Sequence, residues 1–355
     1  MKVGIISYYK FDKYIKGNEK DLIYENWNEV WKEVFKLCDK NNIMLEKYNH
    51  NEHLGYEKII FIEIPRITEL IKVLYSNLFK RRIYTILLVN ETFLGRARYM
   101  LRIPFLFDKV LINCEDNINQ FMSYKISTFS YPSIPSRDII KANKSTILNS
   151  ERKDKLVFIS SFKLALSHHG TYIFRYKLVR DLLVHKKFFR LYGFGWNQVP
   201  LPFDVIGIAI IIRIPFLKKL VKNIMGLYFK PLGNFPIAAS KSKTLQKYDF
   251  ALAIEPTISK FNSICEKIFD PMLSGTIPIY YGQKILRNIP KNTYIRINKK
   301  DSIDNIIKTL QNISEEEKSQ YRENIFKFLN SKQADQYRSS TYSKLILNAI
   351  LKKIN

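Results

Sequence analysis

Short apolar runs alternate with segments of helical spacing through the first 150 residues. Strands are predicted at Lys2 to Ser7, Lys58 to Ile64, Tyr84 to Asn90 and Lys109 to Asn113. Helices are predicted at Asn26 to Lys40 and at Arg66 to Phe79, because apolar residues recur there every three or four positions. Tyr84 to Asn90 is almost entirely apolar, which is typical of a parallel strand buried on both faces. This alternation predicts a doubly wound α/β domain.

The same alternation returns after a polar, charged stretch between Ser136 and Lys155. Strands are predicted at Leu156 to Ser160, Phe188 to Tyr192, Asp249 to Ile254 and Ile277 to Tyr281. Helices are predicted at Tyr172 to His185, Glu266 to Ser274 and Asp301 to Leu310. We therefore expect an α/β domain over 1–150, a second over 151–330 and a helical basic tail over 331–355. Two Rossmann-like domains facing a cleft would bind ligands beyond the carboxyl ends of their strands.

The net charge of the chain indicates what kinds of partner it could bind. The chain has 58 Lys and Arg against 32 Asp and Glu, a net charge of +26, which favours nucleic acid, anionic membranes or phosphorylated substrates. Its three cysteines are far apart in sequence, so they predict neither a disulfide framework nor a zinc site. The first residues do not resemble a signal peptide, and the longest apolar stretch is broken by Arg213 and Pro215. We expect a cytoplasmic location.

The segment from Tyr248 to Gly282 is the most informative about ligand binding. A buried strand ends at the carboxylate of Glu255, and after a polar loop a helix opens with Glu266 and Lys267. Free amides at a helix N-terminus bind anions, and the ammonium of Lys267 would add a full charge, so this spacing suits a diphosphate. Glu266 could accept hydrogen bonds from ribose hydroxyls. The alternative is a generic strand-loop-helix unit, since many helices begin with Glu.

This segment resembles the donor-binding part of the family-10 glycosyltransferases, the α-1,3-fucosyltransferases. Their pattern is a strand ending in Glu-Asn, then Gly-Tyr-(Val/Ile)-Thr-Glu-Lys, a helix and Pro-Ile-Tyr-Tyr/Trp-Gly. The matching residues here are Ile254-Glu255, Asn262 to Asp270 and Pro278 to Gly282. The chain departs from that pattern at Pro256, at Asn262-Ser263 and at Cys265.

The resemblance implies a GT-B-type fold and an inverting transfer of fucose from GDP-fucose to a glycan hydroxyl. It implies a general base at Glu91, which follows the strand Tyr84 to Val89. It also implies a set of donor-binding residues: Ser160, Arg175, Glu255, Glu266, Lys267 and Tyr281. The GDP-sugar is a substrate, and no essential metal or other cofactor is predicted. Taken by itself, Arg175 on a basic helix would more commonly be a solvent-exposed residue.

One basic apolar segment, Leu201 to Pro236, stands apart from this chemistry. Between Pro215 and Phe229 apolar residues recur at helical spacing, with Lys218, Lys219 and Lys222 between them. The pattern suits a core helix with a basic outer face. It also suits a helix on an anionic membrane surface that brings the enzyme to a lipid-linked acceptor.

Other readings of the whole chain stay open. A basic nucleic-acid-binding protein is compatible with the charge, although no recognition motif is present and nucleic acid is not the expected partner. A membrane-peripheral scaffold without catalysis, or a transferase using another nucleotide sugar, would also fit. His168-His169 lacks a third ligand, so the pair predicts a polar loop and not a metal site.

Overall fold

The computed structural model describes residues 1–7, 25–63, 65–90, 106–114, 125–166, 170–203, 208, 211–258 and 263–352. The chain forms two compact units. The N-terminal unit comprises Met1–Ser136, Phe261–Ile264 and Asp335–Asn355, and the C-terminal unit comprises Arg137–Lys260 and Cys265–Ala334. The last residues of the chain thus belong with the first.

The N-terminal unit is built on a parallel six-stranded sheet of order β2-β1-β3-β4-β5-β6. Its strands are β1 (Lys2–Ser7), β2 (Met44–Lys47), β3 (Lys58–Ile62), β4 (Tyr84–Val89), β5 (Lys109–Asn113) and β6 (Ile126–Phe129). The four predicted strands are present. The sequence pattern missed β2 and β6 because both are four-residue edge strands with little buried surface.

Helices cover this sheet and close its core. They are α1 (Glu25–Lys40), α2 (Ile67–Phe79) and, from the far end of the chain, α11 (Ser339–Leu351). Trp31 and Val34 of α1 share one core cluster with Ile346 and Ile350 of α11, all with at most 1% of their surface exposed. Residues predicted only as a basic tail therefore supply part of the hydrophobic core of this unit.

The C-terminal unit has a parallel five-stranded sheet of order β11-β10-β9-β7-β8. Its strands are β7 (Lys153–Ile159), β8 (Phe189–Tyr192), β9 (Tyr248–Ile254), β10 (Ile277–Tyr281) and β11 (Ile295–Arg296). All seven residues of the central strand β9 are buried. Asp249, its one ionisable acid, is paired with Arg322 and lies 3.6 Å from the ammonium of Lys318.

Eight helices are assigned among the described residues of the C-terminal unit. They are α3 (Arg137–Ala142), α4 (Lys144–Asn149), α5 (Tyr172–Leu182), α6 (Pro215–Tyr228), α7 (Lys241–Leu245), α8 (Glu266–Leu273), α9 (Ile303–Gln311) and α10 (Glu315–Asn330). Both units are thus α/β with parallel sheets, as predicted. Across the described ranges, no helix combines the length and the apolar character needed to cross a bilayer.

Candidate donor site

Three strands of the C-terminal unit end beside one another in polar or aromatic residues. Ser160 follows β7, Glu255 follows β9 and Tyr281 is the last residue of β10. Because β7, β9 and β10 are neighbouring parallel strands, their carboxyl ends lie at one edge of the sheet. The predicted donor residues at these three strand ends therefore lie at the edge where α/β sheets bind ligands.

Glu255 is fully buried at this edge and holds the start of the next helix. Its carboxylate accepts a hydrogen bond from the backbone N–H of Cys265, at 3.3 Å, and one from the Cys265 thiol, at 2.7 Å. Burial raises the pKa of Glu255 to about 7, although the thiol hydrogen bond acts in the opposite direction. Close packing fixes this carboxylate, since a Cβ at Gly282 would lie 2.4 Å from Cγ of Glu255.

Helix α8 begins immediately after Cys265 and carries an ion pair in its first turn. Nζ of Lys267 lies 2.9 Å from Oε1 of Glu266, and about a quarter of each side chain is exposed. Burial by itself would raise the pKa of Glu266, but attraction to Lys267 and then to Lys241 lowers it to about 2. Burial likewise opposes the charge of Lys267, yet Glu266 raises its pKa above the ordinary value. Both groups are charged.

Arg175 projects from α5 to the ends of the central strands. One Nη donates to the carbonyl oxygen of Ile254 at 2.9 Å, and the other lies 3.4 Å from Oγ of Ser160. Only 5% of the residue is exposed, and burial lowers its pKa below the ordinary value, while Tyr172, Cys265, Glu255 and Glu266 favour the charged form. The expectation of a solvent-exposed arginine is therefore wrong: the helix turns Arg175 inward, to the strand ends.

A glycine allows the chain to pass close to Ser160. Gly193 follows β8 with φ of +140°, and a Cβ there would lie 2.1 Å from the carbonyl oxygen of Ser160. The same carbonyl accepts a hydrogen bond from the indole of Trp196 at 2.8 Å. The Gly-Phe-Gly segment, 193–195, thus packs closely against the end of β7.

Tyr281 contributes an aromatic surface at the end of β10. Its ring stacks on Phe174 of α5, with ring centroids 3.9 Å apart and planes inclined at 28°. Phe174 precedes Arg175, so one helix supplies both the aromatic neighbour of Tyr281 and the buried guanidinium.

All six predicted donor residues are linked to one another by electrostatic interactions or hydrogen bonds. Arg175 contacts Ser160 directly, and the charges of Glu255, Glu266 and Lys267 act on one another and on Arg175. Tyr281 joins them through its carbonyl, which accepts from the backbone N–H of Glu255 at 2.9 Å. The predicted base Glu91, and likewise His168, His169 and Asn262, lie outside the described residues.

Two residues next to this site could not be identified from the sequence pattern. Thr171 donates its hydroxyl to the carbonyl of Glu255 and so ties α5 to the end of β9. Lys241, at the start of α7, pairs with Asp270 of α8 and helps to keep Glu266 ionised. Asp270 was part of the matching motif, but its partner lies 29 residues away in sequence, and only the fold reveals it.

Ser263 stands where the fucosyltransferase pattern has a tyrosine. It is buried in the N-terminal unit, where its hydroxyl donates to the carbonyl of Asn113 at 2.9 Å. Among the residues that the structure describes, no group of three or more His, Cys, Asp or Glu could hold a metal ion.

Comparison with known proteins finds one family match, in the C-terminal part of the chain. Residues 216–345 match the model of the glycosyltransferase family 10 (fucosyltransferase) C-terminal domain. That range contains Glu255, Glu266, Lys267 and Tyr281, whereas Ser160 and Arg175 precede it. The resemblance seen in the motifs is thereby confirmed. No curated protein matches the sequence.

Solved structures show the same fold over almost the whole chain. An α1,3-fucosyltransferase is 13% identical with a TM-score of 0.56, covering 99% of this chain and 90% of that one. The α1,3-fucosyltransferase complex with GDP gives a TM-score of 0.51 at 13% identity, covering 99% and 91%. HepE of Anabaena, in complex with UDP and glucose, gives 0.51 at 12% identity and covers 99% of each chain. The predicted GT-B fold is confirmed.

Proposed function

We propose that this chain, a glycosyltransferase with a family 10 C-terminal domain, transfers a sugar from a GDP-sugar to a hydroxyl of a bacterial surface glycan. Fucose is the expected sugar, because the segment from Glu255 to Gly282 resembles the fucosyltransferase motif and lies within the part of the chain that matches the family 10 model. The anomeric configuration would be inverted in a single displacement. The acceptor would supply the hydroxyl, free or lipid-linked.

The observation that carries this proposal is the pair of cations at the sheet edge. Arg175 and Lys267 come from different helices and act on the same small group of carboxylates. A buried Nε–H of Arg175 has no hydrogen-bond partner among the described residues, so the guanidinium can still donate. Guanidinium, ammonium and the free amides of a helix N-terminus together form a binding site for a diphosphate.

The state of Glu255 matters for such an anion. A buried carboxylate beside a diphosphate would repel it, but a pKa of about 7 leaves much of Glu255 neutral at neutral pH. The only fully charged carboxylate in the first turn of α8 is Glu266, which Lys267 and Lys241 compensate. Glu266 is therefore available to accept hydrogen bonds from ribose hydroxyls.

The proposed reaction follows from these charges. The acceptor hydroxyl attacks the anomeric carbon while the bond from that carbon to the diphosphate oxygen breaks, and the electron pair leaves with the nucleoside diphosphate. Arg175 and Lys267 would stabilise the negative charge that develops on this leaving group. Glu91 would take the hydroxyl proton as general base. Catalysis in this scheme needs no metal ion.

A second candidate differs only in the nucleotide. HepE, which has the same fold, was solved with UDP and glucose, so the fold accommodates donors with another base. In this chain Tyr281 and Phe174 stack on each other beside Arg175, and stacking does not by itself select one base.

A thermal-shift series with GDP, UDP, ADP, CMP and dTDP tests the donor, because a ligand that binds the native state raises the melting temperature with occupancy. We expect GDP to give the largest shift and GDP-fucose to be hydrolysed slowly without acceptor. A larger shift with UDP would reject the GDP assignment and retain the transferase. No shift with any nucleotide, together with no hydrolysis, would reject the donor site.

We also propose that the reaction takes place in the cytoplasm. The support is chemical: Cys38, Cys114 and Cys265 are present as thiols and not as disulfides. Cysteines in the thiol form suit a reducing compartment.

A further inference from the structure

Helix α6 of the C-terminal unit leaves its apolar side chains in solvent. None of its fourteen residues is buried. Four large apolar side chains are exposed to 44% or more: Phe216 (73%), Leu220 (47%), Ile224 (44%) and Leu227 (78%). The expectation of a core helix with a basic outer face is therefore wrong.

These four residues form one continuous stripe. They follow one another at intervals of four, four and three positions, which places them on one face of an α-helix. Tyr228 at the end of the helix and Ile214 just before it are also exposed and extend the apolar surface at both ends.

The charge around this stripe has a single sign. Between Val205 and Ser240 the sequence has five basic residues, Arg213, Lys218, Lys219, Lys222 and Lys230, and no acidic one. All five are exposed, and none forms an ion pair with a described residue. The surface therefore combines bulky apolar groups with uncompensated positive charge.

The remaining face of α6 is held against the body of its unit. Met225 packs on the main core cluster, and Phe229, just after the helix, is part of that cluster. The ring of Phe229 contacts Tyr176 edge to face, and Tyr176 donates its hydroxyl to the carbonyl of Lys230 at 3.0 Å. The stripe is thus presented in a defined orientation and cannot simply rotate inward.

We infer that α6 docks on an anionic lipid bilayer, lying in the interface with its apolar stripe among the acyl chains. Its fourteen residues span about 21 Å, less than the ~30 Å hydrocarbon thickness, so the helix lies on the surface and does not cross it. Lipid headgroups supply the negative charge that five cations need, and the acyl chains supply the apolar contact.

The charge pattern argues against other occupants. A second copy packed symmetrically on α6 would bring like-charged lysine rows together, which is unfavourable. Helix α2 offers a contrast: Ile67, Ile71, Tyr75 and Leu78 are exposed there too, but its Lys72 lies 3.7 Å from the carboxylate of Glu69. Of these two helices, only α6 combines an exposed apolar stripe with charge of one sign within the helix itself.

Vesicle flotation with the full chain tests this inference. We expect binding to phosphatidylcholine vesicles that contain phosphatidylglycerol, and little binding to phosphatidylcholine alone. Leu220→Glu with Ile224→Glu should lower the partition coefficient at least about tenfold, because two apolar groups would be replaced by carboxylates in the interface. Replacing Lys218, Lys219 and Lys222 by Gln should lower binding to the anionic vesicles about 100-fold.

A matched control separates docking from a general effect of added acid. Leu54 and Val184 are exposed to 60% and 80% and lie outside α6, so Leu54→Glu with Val184→Glu makes the same chemical change elsewhere. The control should float like the parent chain. Melting temperature and hydrolysis of a soluble GDP-sugar should be unchanged in every variant.

Three results would overturn the inference. The Leu220→Glu, Ile224→Glu variant could float like the parent, or the control could lose binding equally. Alternatively, the parent could fail to bind vesicles yet form a dimer in light scattering that the α6 variant abolishes, which would make a second copy the occupant. Each result is independent of the proposed transferase activity, which is measured without lipid.

Discussion

Helices α8 and α6 of the C-terminal unit are both amphipathic, and their surroundings are opposite. Both combine apolar residues at helical spacing with lysine. In α8 the side chains of Ile268, Phe269 and Met272 are completely buried, and Lys267 is paired with Glu266 at the carboxyl edge of the sheet. In α6 no residue is buried, and its lysines have no acidic partner among the described residues.

This difference shows that a lysine on an amphipathic helix takes its role from what surrounds it. At Lys267, burial and fixed neighbours hold one cation in one place, which is what stabilising a leaving group requires. At Lys218, Lys219 and Lys222, exposed cations create a diffuse field, which is what attraction to a charged surface requires. The comparison is testable by making the same substitution on both helices.

The largest expected difference is in catalysis. Lys267→Ala should lower the rate of sugar transfer about 100- to 1,000-fold, the usual effect of removing one fixed donor to developing negative charge. Lys218→Ala on α6 should leave the rate with soluble substrates within about twofold. Steady-state kinetics on both variants decide this, and equal losses in the two would show that Lys267 has no special place in the reaction.

The second-largest expected difference between the two helices is in folding stability. Ile268→Ala in α8 removes a fully buried side chain and should lower the free energy of unfolding by about 3 kcal/mol. Ile224→Ala in α6 removes a side chain that is 44% exposed, so the loss should stay below about 1 kcal/mol. Urea unfolding of the two variants measures both values. A loss at Ile224 as large as that at Ile268 would contradict the exposed position of α6.

A smaller effect concerns the starts of the two helices. Neither Cys265, before α8, nor Ile214, before α6, caps its helix through the side chain, but Cys265 donates hydrogen bonds to buried Glu255. Because the folded-state pKa of Glu255 is about 7, above its ordinary 4.5, its protonated form stabilises the fold at low pH, and this contribution is lost as the pH rises through 7. Between pH 5 and 8 the free energy of unfolding should therefore fall by about 2 kcal/mol less in Glu255→Gln than in the parent.

The measurement is urea unfolding of both proteins at a series of pH values. Glu323, half exposed on α10, provides the control, since Glu323→Gln should leave the pH profile of the parent unchanged. A Glu255→Gln profile parallel to that of the parent would mean that Glu255 is ionised at pH 5 in the folded protein.

Much of the architecture follows from local patterns. Strands β1, β5 and β10 begin and end at the predicted residues, because a parallel strand buried on both faces must be apolar along its length. The position of α8 followed from the same pattern, because a buried strand, a polar loop and an amphipathic segment leave little choice. The donor motif was visible because its residues lie within one stretch, from Glu255 to Gly282.

Contacts between distant parts of the chain could not be predicted from the sequence. The burial of Arg175 depends on the ends of β7 and β9, and no local pattern distinguishes it from a solvated arginine on the same helix. Ile346 and Ile350 also joined the core of the N-terminal unit without any sequence signal that the chain returns there. Pairing of Lys241 with Asp270 is a third case.

The sequence by itself determined which segments are strands and helices, the α/β class and the resemblance to family 10, because periodicity and motif spacing are local properties. Only the tertiary structure decided which charges are buried and which apolar faces are left open. Both α8 and α6 have apolar residues at helical spacing. The apolar face of α8 is buried and that of α6 is exposed, because burial depends on which other parts of the chain pack at the same place.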